Sequence, residues 1–140
     1  GKGKSFGIAV AEWNKAITFT LLRGCIDTLL AHGVKESDIH VIYVPGTFEL
    51  PYAGKTLSQR HHLAAIICLG CVIKGETDHD IYINTSVANA LQQLNITSSI
   101  PYIFGVLTPN TEQQALDRAG GIHGNKGIEA AVTALKMCAI

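Results

Sequence analysis

Four short apolar runs constrain this 140-residue chain more than any other feature: SFGIAVA (5–11), IHVIYV (39–44), LAAIICLG (63–70) and IPYIFGVL (100–107). Each is rich in valine and isoleucine and mostly continuous, where a half-exposed strand would alternate; strands covered on both faces carry this pattern, which predicts a parallel sheet. The segments between them have helical period. Phe19, Leu22, Ile26, Leu29 and Leu30 form one stripe, Val87, Leu91 and Leu94 a second, and Ile128, Ala131, Val132 and Leu135 a third. Asn110 is the expected N-cap of a further helix, with Gln113 three residues on and Gly120-Gly121 as its C-cap. A weaker segment, roughly 50–58, completes an alternation of strand and helix over 1–140. That alternation predicts one layered α/β domain with right-handed crossovers.

Composition narrows the partners. Hydrophobic residues make up 47% of the chain, enough for one substantial core, while 16% are charged and the net charge is zero. Nothing here marks a surface for nucleic acid or anionic membrane, so a small-molecule or protein partner is expected. The longest apolar run, Leu63 to Leu69, is far short of the roughly 20 residues of a membrane span, and the opening GKGK does not read as a signal peptide. The chain reads as a cytoplasmic protein.

The motif CLGC (68–71) raises a redox or zinc reading. Redox pairs of this spacing sit at helix N-termini, where the dipole favours the thiolate, whereas Cys68 and Cys71 fall in a strand and face opposite sides of it. No second pair supplies further zinc ligands, and no metal is expected. Cys25, Cys68, Cys71 and Cys138 are read as thiols kept reduced.

Sheets of this kind bind ligands at the carboxyl ends of their strands. The first strand runs into Glu12-Trp13-Asn14, the second into PGTFEL (45–50), the third into VIKGETDH (72–79) and the fourth into TPNT (108–111). Gly75 lets the backbone approach a ligand, and a helix starting near His79 or Asp80, with the Thr77 hydroxyl, makes an anion site suited to phosphate. Glu76 and Asp78 oppose that unless turned away or balanced by Arg118 and Lys126. The competing reading is a solvated turn. His79 is either idle at the surface or a proton carrier, since an ordinary histidine both takes and gives a proton near neutral pH. Trp13 is a core filler or a plate for a flat ring. Glu49 is a helix-start carboxylate or a reader of a ring's N–H edge. GKGKS precedes a strand and GGIHGNK has asparagine before its lysine, so neither is a phosphate loop.

VPGTFELP, GCVIKGETDH, FGVLTPNTEQQALDRAGG and HGNKGIEAAVTAL, in this order across the whole chain, resemble lumazine synthase of riboflavin biosynthesis. The resemblance implies a flavodoxin-like three-layer αβα sandwich around a central parallel sheet. It implies a cofactor-free condensation of 5-amino-6-(D-ribitylamino)uracil with 3,4-dihydroxy-2-butanone 4-phosphate, releasing phosphate and water. By motif, Trp13 takes the place of the aromatic that stacks on the pyrimidine, with Asn14 beside it. Gly46, Thr47, Phe48 and Glu49 match the segment for the uracil edge and ribityl chain. Cys71, Val72 and Ile73 match a second lining strand end, and Glu76 and Thr77 the phosphate turn. His79 matches the proton-transfer residue, while Phe104, Arg118 and Lys126 complete the site from a neighbouring subunit of a homopentamer, which in some members builds a 60-subunit shell. The chain departs from the family pattern at Glu76, at Asp80-Ile81, where an aromatic then an acid is usual, and at Ile122, where lysine is usual. The alternatives that share the architecture are an archaeal-type riboflavin synthase and a binding or shell-forming relative with little turnover.

Overall fold

The computed structural model describes residues 2–75 and 78–140. Its elements run β1 (Phe6–Ala11), α1 (Lys15–Ala31), β2 (Ile39–Val44), α2 (Leu50–Arg60), β3 (Ala65–Cys71), α3 (His79–Thr97), β4 (Tyr102–Leu107), α4 (Glu112–Asp117), β5 (Ala119–Gly121), β6 (Gly124–Asn125) and α5 (Lys126–Met137). The four long strands form one parallel sheet in the order β2-β1-β3-β4, as the continuous apolar runs predict.

Helices cover both faces, and the period-two geometry of β1 shows how the two cores divide. Phe6, Ile8 and Val10 point into the layer of α1 and α5, while Ala9 and Ala11 point into the layer of α2 and α3. Small residues on the second face let α2 lie close to β1. This is the expected three-layer α/β arrangement. Cys68 belongs to the second core and Cys71 to the first, on opposite faces of β3. Burial pushes the Cys25 and Cys68 thiols up to about 12 and Cys71 up to about 11, so all three stay protonated at neutral pH.

Three local expectations differ from the structure. On α1 the buried stripe is Ile17, Thr18, Leu21, Leu22, Cys25 and Leu29, whereas Phe19 and Leu30 lie outward; Phe19 meets Tyr43 edge-on at 5.6 Å. On α5 the buried residues are Gly127, Ala130, Ala131 and Ala134, leaving Ile128 44% exposed. Close approach of α5 to α1 and the sheet selects the smallest side chains, so hydrophobicity alone misplaces the stripe by one residue. The third difference is α4. Its N-cap is Thr111, whose hydroxyl accepts the Gln114 N–H at 3.1 Å, and Asn110 instead donates its N–H to the Gln114 side chain at 2.7 Å. The helix ends at Asp117, and Gly120-Gly121 form a short hairpin with β6 in place of a C-cap. Gly120, at φ 102, sits at the register shift between the Ala119 and Gly121 pairings, in a conformation glycine takes without strain.

Candidate functional site

The carboxyl ends of β1, β2 and β3 and the first turns of α3 enclose a cavity of about 720 Å³. Its walls are fastened to one another through the backbone. Beyond β1, Glu12 donates its N–H to the Val44 carbonyl at 2.7 Å and Trp13 to the Pro45 carbonyl at 2.9 Å, tying the first loop to the second. Asn14 adopts φ 63, a left-handed conformation that asparagine tolerates better than most residues. In that conformation its carbonyl accepts the Ile17 and Thr18 N–H groups that start α1, while its side-chain amide donates to the Cys71 carbonyl at 2.9 Å. Asn14 therefore joins the first loop to the end of β3, as Glu12 and Trp13 join it to the second loop.

Trp13 is 73% exposed and Phe48 60% exposed, both on the cavity wall. The core-filler reading of Trp13 is excluded, and two flat apolar plates stand open to a ligand. Glu49 accepts the Gly46 N–H at 2.9 Å through Oε1, so one of its oxygens is committed to holding the loop. Thr47 is buried and seats on Gly70, where an added Cβ would lie 2.6 Å from its hydroxyl. Val72, Ile73 and Cys71 complete the β3 side, with the Cys71 thiol neutral and apolar in character.

His79 is the first residue of α3 and lines the same cavity, with the positive end of the helix macrodipole directed at it. Gly75 also lines it, and a Cβ there meets nothing within 4 Å, so the protein's own packing does not require glycine at that position. Glu76 and Thr77 lie outside the described residues. Among the described residues no three His, Cys, Asp or Glu side chains group as metal ligands.

The other three expected site residues are elsewhere. Phe104, Arg118 and Lys126 line a second cavity of about 570 Å³ beyond β4, together with His123. The Lys126 N–H donates to the Arg118 carbonyl at 2.8 Å, which holds the two cationic residues as one unit of the β5-β6 hairpin. Neither cavity is lined by residues of both sets. The sequence argument missed Asp80, Tyr82, Ile83 and Ser86 on the first cavity and His123 on the second. Three of them were legible: positions 79, 82, 83 and 86 share one helical face, and a helix that begins at the cavity presents that face to it.

Comparison with known proteins agrees with this geometry. The family model described as 6,7-dimethyl-8-ribityllumazine synthase matches residues 3–140. A protein of that name from Porphyromonas gingivalis is 55% identical over all of this chain and 87% of its own length. Those from Parabacteroides distasonis and Cytophaga hutchinsonii are 53% and 51% identical over 95% and 96% of this chain, and 83% and 84% of theirs. A parallel sheet with an aromatic-walled cavity at its carboxyl edge, matched end to end by these relatives, decides the question the motifs raised: the chain belongs to the lumazine synthase family, transferases of riboflavin biosynthesis.

Proposed function

We propose that the cavity at the carboxyl ends of β1 to β3 is where 5-amino-6-(D-ribitylamino)uracil meets 3,4-dihydroxy-2-butanone 4-phosphate to give 6,7-dimethyl-8-ribityllumazine. The observation that carries this is the pair of exposed plates, Trp13 and Phe48, beside a histidine at a helix start. The uracil ring stacks on Trp13, its edge and ribityl chain run along Gly46, Thr47, Phe48 and Glu49, and Val72 and Ile73 close the far wall. The substrate amine attacks the ketone carbon and a first water leaves to form an imine; phosphate departs, the resulting enol becomes a carbonyl, and the second nitrogen closes the ring on that carbonyl with loss of a second water. His79 carries protons between these steps. Phosphate sits at the start of α3, with Glu76 and Thr77 assigned to its turn by their motif. No cofactor takes part.

The complete site is formed between two copies of the chain, a neighbour supplying Phe104, Arg118 and Lys126. The separation of those residues from His79 into two cavities supports this reading. Within one sheet, β4 and its hairpin lie past β3 from Trp13, and a basic pair near phosphate is needed to offset its charge. A groove of about 800 Å³ between α3 and α5, floored by Ile103 and Phe104 and edged by Met137 and Ile140, is the face that a neighbour covers in a homopentamer. Further association into a 60-subunit shell follows the family pattern. The chain works as one domain in the cytoplasm, where its free thiols remain reduced. No helix among the described residues is long and apolar enough to cross a membrane.

Two experiments test the reading. Incubation with the uracil amine and butanone phosphate consumes both and yields the lumazine; an archaeal-type riboflavin synthase leaves the pair untouched. Mixing inactive His79→Ala with inactive Arg118→Ala, under conditions of subunit exchange, restores part of the activity, because some interfaces then carry both intact residues. An active monomer in sedimentation at assay concentration overturns the shared site.

Trp13 provides an independent check, being the chain's one tryptophan. Its fluorescence is expected to be quenched on saturation with riboflavin or a lumazine analogue, since a stacked ring is in direct contact with the indole. Unchanged emission, with binding shown by calorimetry, removes Trp13 from the site.

A further inference from the structure

The second cavity carries more positive charge than the fold uses. Arg118, His123 and Lys126 all line it, and among the described residues none of their side chains makes a hydrogen bond or an ion pair. Backbone bonds hold the three residues together. The His123 N–H donates to the Asp117 carbonyl and the Lys126 N–H to the Arg118 carbonyl, both at 2.8 Å, so the turn of the β5-β6 hairpin and the start of α5 are tied to the end of α4. Ile122, one residue earlier, is 82% exposed and is not among the lining residues, so at the hairpin turn it is His123 that borders the cavity.

Charge decides what such a cavity accepts. Among the described lining residues Asp117 is the one carboxylate, and its Oδ1 accepts the Gln113 side-chain amide at 2.8 Å. Glu129, a turn beyond Lys126 on α5, borders the groove between α3 and α5 and not this cavity. Arg118 and Lys126 against Asp117 leave one net positive charge, about half of what a phosphate-ester dianion carries. An imidazolium at His123 raises the balance to two and matches that anion. Histidine is the residue type whose charge changes between about pH 5 and 8, so this third cation is one that the medium supplies or withdraws.

We propose that His123, from the same neighbouring copy that supplies Arg118 and Lys126, is a further substrate-binding residue, which as an imidazolium holds the phosphate of 3,4-dihydroxy-2-butanone 4-phosphate. This rests on the substrates and the shared site assigned above. The consequence is a grip on one substrate that depends on pH. The phosphorylated substrate meets three cations in mildly acidic medium and two in alkaline medium, since the histidine charge is present below its titration and lost above it. The uracil substrate, which carries no phosphate, does not sense the change.

The test is steady-state kinetics of the assembled enzyme with each substrate varied in turn, and its inhibition by inorganic phosphate, at about pH 6 and about pH 9, on either side of the histidine range. Wild type, His123→Ala and His123→Lys are compared at the same pH, so the titration of phosphate itself cancels, and melting temperatures are measured alongside. Wild-type turnover of the substrate pair, measured first, decides the underlying reading, and its absence overturns that reading. The remaining outcomes bear on His123 alone. At the acidic pH, His123→Ala is expected to raise KM for the butanone phosphate and the inhibition constant of phosphate about tenfold, the size of a lost charge-assisted hydrogen bond, with KM for the uracil substrate changed less than about twofold. At the alkaline pH the same variant differs from wild type by less than about twofold, because the neutral imidazole it lacks carries no charge. His123→Lys, charged at both, binds phosphate more tightly than wild type at the alkaline pH. An inhibition constant of phosphate unchanged in His123→Ala at the acidic pH, or both KM values raised equally, overturns the proposal. So does an equal loss at the two pH values with a lowered melting temperature, which assigns His123 to the hairpin's fold alone.

Discussion

Replacing His79 by alanine lowers kcat by about 10²–10⁴-fold, the usual worth of a positioned acid or base, while the lumazine product still binds. The reaction moves protons at every stage, from the attacking amine, to the departing water and across the imine before phosphate leaves. His79, the residue proposed to carry them, stands at the first position of α3 and on the cavity wall. The plates and backbone proposed to hold the ring, Trp13, Phe48 and the 46–49 loop, lie on other elements fastened by their own hydrogen bonds. Binding and proton transfer are therefore separable in this architecture. The check is kcat measured against product affinity by fluorescence titration. Equal loss of both makes His79 a binding residue and removes it from the proton path.

Adding one methyl group at Gly127 is expected to damage the protein far from any reacting atom. Gly127 sits in the first turn of α5 directly against the backbone of α1, so that a Cβ would collide with the carbonyl oxygen of Leu21 and lie 2.6 Å from its carbon. Neither atom belongs to a flexible side chain, so relief requires moving one helix away from the other. Overpacking a core costs about 1–3 kcal/mol even where side chains yield, and a backbone collision stands at or above the top of that range. For a chain of this size about 3 kcal/mol corresponds to a melting point lowered by roughly 6–12 °C. The damage reaches the second cavity too, because Lys126 precedes Gly127 and Asn125 caps the same turn, donating to Thr20 of α1 at 3.2 Å. Gly127→Ala should therefore lose turnover as well as stability. Gly75→Ala is the control: with open space at that Cβ, its stability stays within about 0.5 kcal/mol of wild type. A Gly127→Ala protein that melts like wild type shows that α5 has freedom the close contact denies.

The parallel sheet, its strand count and the helices between were legible in the sequence because short, continuous valine- and isoleucine-rich runs mark strands covered on both faces. Helix faces were less legible. On α5 the pattern of large aliphatics pointed to Ile128, yet the buried line is glycine and alanine, since a contact fixed by backbone proximity is written in the absence of side chain. The end of α4 was misplaced for a related reason: a Gly-Gly pair serves a helix cap and a hairpin equally, and the pairing of Ala119 with Asn125 chooses between them.

At the cavity, sequence by itself determined which strand ends would border it, since ligands gather where parallel strands finish, and it named His79, Trp13 and Glu49 among the lining residues. The tertiary structure decided how those residues stand. It turned Trp13 outward, committed one Glu49 oxygen to Gly46, used Asn14 to fasten the first loop to the end of β3, and set Phe104, Arg118 and Lys126 apart in a cavity of their own. The physical reason is common to all of these. Residue type and spacing follow from local periodicity and strand direction, which the chain encodes along its length. Burial, hydrogen-bond partners and the sharing of a cavity depend on the distance between segments remote in sequence, and that distance exists only once the layers have packed.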